Sequence, residues 1–152
     1  MNITIAAVGK AKPGPERDLF ASYTARLPWR VDVKEIEIKK EMAVDVRRAR
    51  EGEALLAAVP DGARIVALDE RGKSQTSEAF AKRLGIWRDD GVRAVAFLIG
   101  GADGLDESLR KRADMVVSFG ALTWPHLLVR ALLAEQLYRA HTILTGHPYH
   151  RA

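Results

Sequence analysis

The sequence contains no cysteine, which excludes a disulfide framework, a thiolate zinc site and a thiol nucleophile. No apolar run approaches the roughly 20 residues of a membrane-spanning helix. The N-terminus, Met1 to Gly9, is apolar from its start with no basic stretch before it, so no signal peptide is expected. Internal repeats, low-complexity tracts and linkers are also lacking. Charge of one sign is scarce: 24 Lys and Arg against 20 Asp and Glu leave +4, an excess that permits a polyanionic partner without requiring one. What remains is 152 residues, 47% hydrophobic and 29% charged. That composition fits one globular domain over residues 1–152 and excludes a disordered chain. The expected setting is the cytoplasm.

Short β-rich runs alternate with helical periods. Ile3 to Val8 reads as a strand, ended by Gly9 and a loop carrying Pro13, Gly14 and Pro15. Glu16 to Leu27 has helical spacing, with Leu19, Phe20, Tyr23 and Leu27 on one face. Val31 to Ile38 is a second strand whose alternation slips between Val33 and Ile36, which predicts a bulge. Ala43 to Val59 is a charged amphipathic helix. Arg64 to Leu68 is a short buried strand, and Asp69 to Ser74 reads as a polar loop. Thr76 or Ser77 caps a helix running to Arg88, with Phe80, Leu84 and Trp87 inward. Val92 to Ile99 is the most apolar strand. Asp106 caps a short helix ending near Ala113, Met115 to Phe119 is a fifth strand, and Pro125 starts a last helix that Gly146 stops after Thr145. This alternation predicts an α/β fold with a mostly parallel sheet flanked by helices, and ligand loops at 9–15, 69–75, 100–105 and 119–124 beyond the strand carboxyl ends.

Several motifs have two readings. Gly72-Lys73-Ser74 follows a strand and precedes a helix, as a phosphate-binding loop does. That motif also needs a glycine five residues before Gly72, and Ala67 stands there; a surface turn with Gly72 at positive φ is the better reading. Gly100-Gly101-Ala102-Asp103-Gly104 lacks the dinucleotide fingerprint and fits a ligand loop and a plain strand-to-helix turn equally well. The last helix is apolar nearly all round, from Leu127 to Leu144, which calls for cover on several sides; a second subunit is the natural cover. Glu135 and Arg139 on it have the i, i+4 spacing of a helix-supporting ion pair. All four histidines fall late, at 126, 141, 147 and 150. His147 and His150 have no carboxylates at ligand spacing, so no metal site is expected. The segment from His147 onward reads either as a frayed end or as a tail folded over a site.

Taken together, Phe97-Leu98-Ile99-Gly100-Gly101-Ala102-Asp103-Gly104-Leu105, Ala121-Leu122-Thr123-Trp124-Pro125-His126, Leu128-Val129-Arg130, Glu135-Gln136-Leu137-Tyr138-Arg139-Ala140 and His147-Pro148-Tyr149-His150-Arg151 resemble the RlmH family. The opening Ala7-Val8-Gly9-Lys10 and the run Ala67 to Lys73 match it as well, so the resemblance covers the whole chain. These are SPOUT-class enzymes that methylate N3 of a pseudouridine in large-subunit (23S) ribosomal RNA with S-adenosylmethionine. The resemblance implies a SPOUT-type α/β knot, in which the C-terminal segment threads a deep trefoil knot, and a homodimer acting on the ribosome. It implies cofactor contacts at Leu68, Gly100, Phe119, Gly120, Ala121, Leu122, Thr123 and Trp124. On the RNA side it implies His126 and Glu135, and for catalysis Arg139, Tyr149, His150 and Arg151, the tail reaching across the dimer. The sequence departs from the family pattern at Gly120, where serine is common, at Trp124, where leucine or phenylalanine is common, and at Gly146, where asparagine is common. None of these removes a charged or titrating group.

Methyl transfer to an imide nitrogen needs alignment, worth about 7–11 kcal/mol, and removal of the N3 proton. A cation that stabilises the resulting anion suffices in place of a strong base. Arg139 or Arg151 is suited to hold the anion, and a histidine such as His150 to take a proton near neutral pH. Two other classes remain: a nucleotide hydrolase built on Gly72-Lys73-Ser74, and a non-catalytic ribosome-binding factor that kept the fold.

Overall fold

The computed structural model describes residues 1–151; Ala152, the last residue of the expected domain, lies outside them. Five strands alternate with five helices: β1 (Asn2–Val8), α1 (Pro15–Thr24), β2 (Arg30–Ile36), α2 (Val44–Ala57), β3 (Arg64–Ser74), α3 (Ser77–Asp89), β4 (Ala94–Ile99), α4 (Glu107–Arg112), β5 (Met115–Ser118) and α5 (His126–Thr145). The strands form one sheet in the order β2-β1-β4-β3-β5, and every pairing is parallel. Helices cover both faces, as an all-parallel sheet requires. Ile3, Ile5, Val66, Val95 and Phe97 point to one side and pack with Phe80, Leu84, Leu133 and Leu137 of α3 and α5 and with Phe20 of α1. Ala6, Ala67 and Leu98, one residue out of phase, meet Leu55 of α2 and Leu109 of α4 on the other side.

The helix ends are fixed by local chemistry. Thr76 is the N-cap of α3, its hydroxyl accepting from the Ala79 amide at 3.1 Å. Asp106 holds the N-cap position of α4 but makes no side-chain bond to the helix amides; its carboxylate accepts from Ser108 instead. Gly146 is left-handed at φ +74°, with Gly146 N–H donating to Ile143 and His147 N–H to Thr142. That is the paired closure of a Schellman end.

Four expectations change. The predicted bulge in β2 is absent: β1 and β2 stay in continuous register from Asn2–Arg30 to Val8–Ile36. The irregularity lies in β3, which runs on to Ser74 where a loop was expected. Leu68 and Lys73 both pair with Val117 of β5, and residues 69–72 form the interruption between them. Gly72 is not at positive φ. It is glycine because a Cβ there would lie 2.7 Å from the Val116 carbonyl carbon and oxygen. Lys73 and Ser74 are therefore strand residues paired to β5, not a loop with free amides, and the nucleotide-hydrolase reading ends there. Finally, the apolar last helix does not depend on a second subunit for most of its cover. α5 lies against the sheet face it shares with α1 and α3, and Ala131, Leu133, Ala134, Leu137 and Ala140 are buried within the single chain.

Candidate functional site

The carboxyl ends of β3, β4 and β5 open into a cleft of about 670 Å³, a size typical of small-molecule sites. Three separate segments build it. Leu68 closes the regular part of β3, Gly100 follows β4, and Phe119, Gly120, Leu122, Thr123 and Trp124 form the loop between β5 and α5. Seven of the eight positions assigned to the cofactor thus share one cavity; Ala121 is exposed beside them and does not line it. His126, assigned to the RNA side, lines the same cleft from the first turn of α5.

The loop after β5 is held by its own backbone. Gly120 N–H donates to Ser118 Oγ, whose hydroxyl donates to Gly120 O, both at 3.1 Å. The Trp124 indole N–H donates to Phe119 O at 3.3 Å. Gly120 has φ +110°, a conformation other residues resist, and no atom lies within 4 Å of where its Cβ would be. Gly100 serves differently: it has an ordinary φ, but a Cβ there would come within 2.9 Å of the Gly104 carbonyl. It lets the 100–104 loop close on itself. Apolar Leu68, Ile99, Val117 and Val129 meet the polar Asp69, Asp103 and Thr123 in this cleft. That mixture suits a ligand with a flat apolar part and a charged part, as S-adenosylmethionine has.

Three features of the site escaped sequence reasoning. Asp69 was read as loop, yet its side chain is only 4% exposed. It lines the cleft, accepts from the Arg71 amide at 2.9 Å and pairs with the Arg71 and Arg110 guanidinium groups. Arg130, the one charged residue of α5 that is fully enclosed, bonds Glu35 across 95 residues of chain. Glu51 of α2 is buried behind the cleft loop: a Cβ on Gly101 would lie 3.1 Å from its Oε2. For Glu51 and Arg130 the only sequence signal is a charged residue within an amphipathic or apolar helix; Asp69 carries none beyond following a buried strand.

Burial raises the Glu51 pKa above its ordinary 4.5; Asp103 pushes the same way, while Arg47 and His126 oppose it. The folded state therefore binds this proton more tightly than the unfolded chain does. Its contribution favours folding below pH 4.5 and is lost as pH rises through the elevated folded value. Glu51→Gln, which mimics the protonated form, is expected to raise the melting temperature at pH 7 and to leave it nearly unchanged at pH 4. Equal shifts at both values would show that the carboxylate is not penalised.

A second cluster gathers on the outer part of α5. Arg139 pairs with Glu135 through Nε at 3.0 Å and through Nη2. Tyr149 hydroxyl donates to Glu135 at 3.0 Å and lies 3.4 Å from the Tyr23 hydroxyl. The Tyr149 ring packs edge-on against Tyr138 at 4.8 Å, with the Arg139 guanidinium 4.8 Å from its centroid. His150 bridges Glu78 Oε1, at 2.8 Å from Nε2, and Arg139 Nη1, at 3.1 Å from Nδ1. Because a guanidinium only donates, Nδ1 accepts and Nε2 carries the proton given to Glu78. Burial, then the bonds to Tyr23 and Glu135, raise the Tyr149 pKa far above the usual phenol value, so it stays a donor at neutral pH. The Arg139 pKa is raised by Glu135, and that of Glu78 is lowered by His150.

Arg139, Tyr149, His150 and Glu135 thus come together, and Arg151 stands exposed beside them. The tail is not frayed. None of these residues lines the cleft: Glu135 is nine residues from His126 along α5, about 14 Å at 1.5 Å per residue.

Comparison with known sequences gives the family. The model of a family described as "Predicted SPOUT methyltransferase" matches residues 1–150. A ribosomal RNA large subunit methyltransferase H of Rhodospirillum centenum is 58% identical over 152 residues, covering all of both chains. Another of the same name, from Paramagnetospirillum magneticum, is 60% identical over 151 residues, 99% of each. Among solved structures, the SpoU methyltransferase AviRb of Streptomyces viridochromogenes, in complex with AdoMet, aligns over 92% of this chain and 58% of its own with a TM-score of 0.48 and 13% identity. With a parallel sheet opening on a glycine-lined cleft and relatives matched from end to end, this chain belongs to the SPOUT methyltransferases, within the RlmH family of large-subunit ribosomal RNA methyltransferases.

Proposed function

We propose that this protein uses S-adenosylmethionine to methylate N3 of a pseudouridine in large-subunit ribosomal RNA, working as a cytoplasmic homodimer on the ribosome. The observation that carries the reading is the convergence of Leu68, Gly100 and the 119–124 loop, distant in sequence, on one cleft. The cofactor would be held by those residues and would supply a methyl group already activated by a sulfonium charge.

The chain's own groups supply the rest. Alignment requires reacting atoms within about 3–3.5 Å, and the Arg139–Tyr149–His150 cluster of one chain stands too far along α5 to act at that chain's own cleft. A second copy, bringing its tail to the cleft of the first, resolves the distance. The cleft loop supports such a partner: Leu122 is 73% exposed and Trp124 38%, large apolar surfaces for one chain to leave in water. In that arrangement Arg139, fixed by Glu135 and the Tyr149 ring, presents positive charge to the developing imide anion. Arg151 offers a second, bidentate cation. His150 accepts the N3 proton at Nδ1 once Arg139 turns from it to the substrate. The knot belongs to the same reading. Its support is the match of the SPOUT family model over residues 1–150.

Large-subunit RNA from cells lacking the protein is expected to be lighter by one methyl group at a single pseudouridine, read by mass spectrometry. Purified protein should restore it on ribosomal particles, sediment as a dimer and bind one S-adenosylmethionine per chain by calorimetry. An unchanged RNA mass would reject the activity. RNA binding without cofactor binding would point to the non-catalytic ribosome factor instead.

A further inference from the structure

The parallel sheet places the carboxyl end of β1 between those of β2 and β4. The loop that follows, residues 9–14, therefore leaves the same edge as the cleft loops. The cleft loop comes close to the strand end from which this loop departs: a Cβ on Gly101 would lie 3.0 Å from Val8 Cγ1. This loop carries Lys10 and Lys12, both exposed, and among the described residues neither joins an ion pair.

Its backbone is clamped. Arg130, 4% exposed, donates from Nη2 to Gly9 O at 2.8 Å and from Nη1 to Glu35 Oε2 at 2.7 Å. Glu35 Oε2 also accepts from the Ala11 amide at 2.6 Å. Burial alone would raise the Glu35 pKa, but Arg130, the Ala11 amide and Lys10 outweigh it and lower it, so the carboxylate is ionised and spent on Arg130. Among the described residues Arg130 Nε has no hydrogen-bond partner. A buried ion pair with an unsatisfied nitrogen is a poor way to stabilise a fold. What it does secure is the path of residues 9–11, which Pro13 and Pro15 stiffen further. Arg130 sits one residue beyond Val129, which lines the cleft. The clamp thus ties the lysine loop to the helix that forms the cleft wall.

From this geometry we infer that Lys10 and Lys12 form a phosphate-contacting rim of the cleft, engaging the RNA backbone beside the target base, with Arg130 and Glu35 as positioning residues. The inference rests on the proposed RNA substrate. Two amino groups held on a stiffened loop, with the Glu35 carboxylate already committed to Arg130, suit successive phosphodiesters and carry no base specificity.

The test is steady-state methyl transfer to ribosomal particles over a range of salt, by wild type and by Lys10→Ala/Lys12→Ala. Calorimetry with S-adenosylmethionine and circular dichroism run alongside. The double variant is expected to raise KM for the particle about tenfold near 0.15 M salt and to flatten the slope of log KM against log salt by about 1.4, roughly 0.7 per lost phosphate contact. Its kcat should stay within about twofold, and cofactor affinity and circular dichroism should match wild type. Arg130→Lys, which cannot reach both Glu35 and the Gly9 carbonyl, should reproduce part of the KM effect with wild-type cofactor affinity. An unchanged salt slope in an active double variant would overturn the inference, as would a fall in kcat at constant KM. Wild-type protein with no transfer to any RNA would overturn the proposed function and this inference together.

Discussion

Gly72→Ala is expected to leave little soluble, folded protein, with a loss of at least about 3 kcal/mol where unfolding can be followed. A single added methyl would sit 2.7 Å from the Val116 carbonyl carbon and oxygen and 2.8 Å from Val117 N. All three are backbone atoms in the strand that β3 pairs with on both sides of the interruption. Moving them means breaking the β3–β5 pairing, so the core cannot relax as it does around a flexible side chain. Gly120→Ala is the control: nothing lies within 4 Å of its Cβ, and the cost is confined to its φ of +110°, of order 1–3 kcal/mol. Urea denaturation of both variants gives the comparison. A Gly72→Ala protein within about 0.5 kcal/mol of wild type, inside ordinary surface variation, would mean that β5 has room to yield.

That glycine marks how far local pattern reaches. The alternation of strands and helices was legible because β1 and β4 are short apolar runs between turn residues, and the helices show their 3.6-residue period. Where β3 ends was not. Asp69 to Ser74 is polar and glycine-containing, and its Lys73 and Ser74 pair as strand only because β5 arrives beside them from more than 40 residues away. The surroundings of α5 were likewise illegible: its apolar circumference is real, but α1, α3 and the sheet supply most of the cover. In the site, the glycine loop and the 119–124 run stood out by composition and by family resemblance. Arg130 and Asp69 lie in runs that carry the resemblance, but no role was marked for them, and Glu35 and Glu51 gave no signal at all, because each acquires its role from a partner distant in sequence. The tail stood between these cases. Its residues were singled out, but only the fold shows them docked on α3 and α5.

That docking sharpens what deleting Tyr149 to Ala152 should do. A frayed end would be lost at no cost. Here the deletion removes the Tyr149–Tyr138 ring contact and the Arg139 stacking, worth together roughly 1–2 kcal/mol. Glu135 and Arg139 keep each other, so the fold and the cleft should survive with cofactor affinity near wild type. Methyl transfer should fall by at least about 100-fold, the scale of losing acid–base and anion-stabilising groups. Arg151→Lys separates chemistry from structure most cleanly. Arg151 is exposed, so a loss of turnover in that variant comes from a contact made only with substrate, where the planar fork cannot be copied by an ammonium. His150→Ala tests the proton. The variant has no group at that position to take the N3 proton, so turnover should drop by about 100-fold, the scale of losing a general base. The measurement is single-turnover methylation of ribosomal particles with S-adenosylmethionine saturating, which holds cofactor binding constant across the series. Full turnover by the truncated chain would mean that Tyr149 and His150 dock on α3 and α5 for stability alone, and the imide anion would then have to be met by groups that line the cleft itself, Arg71 or His126.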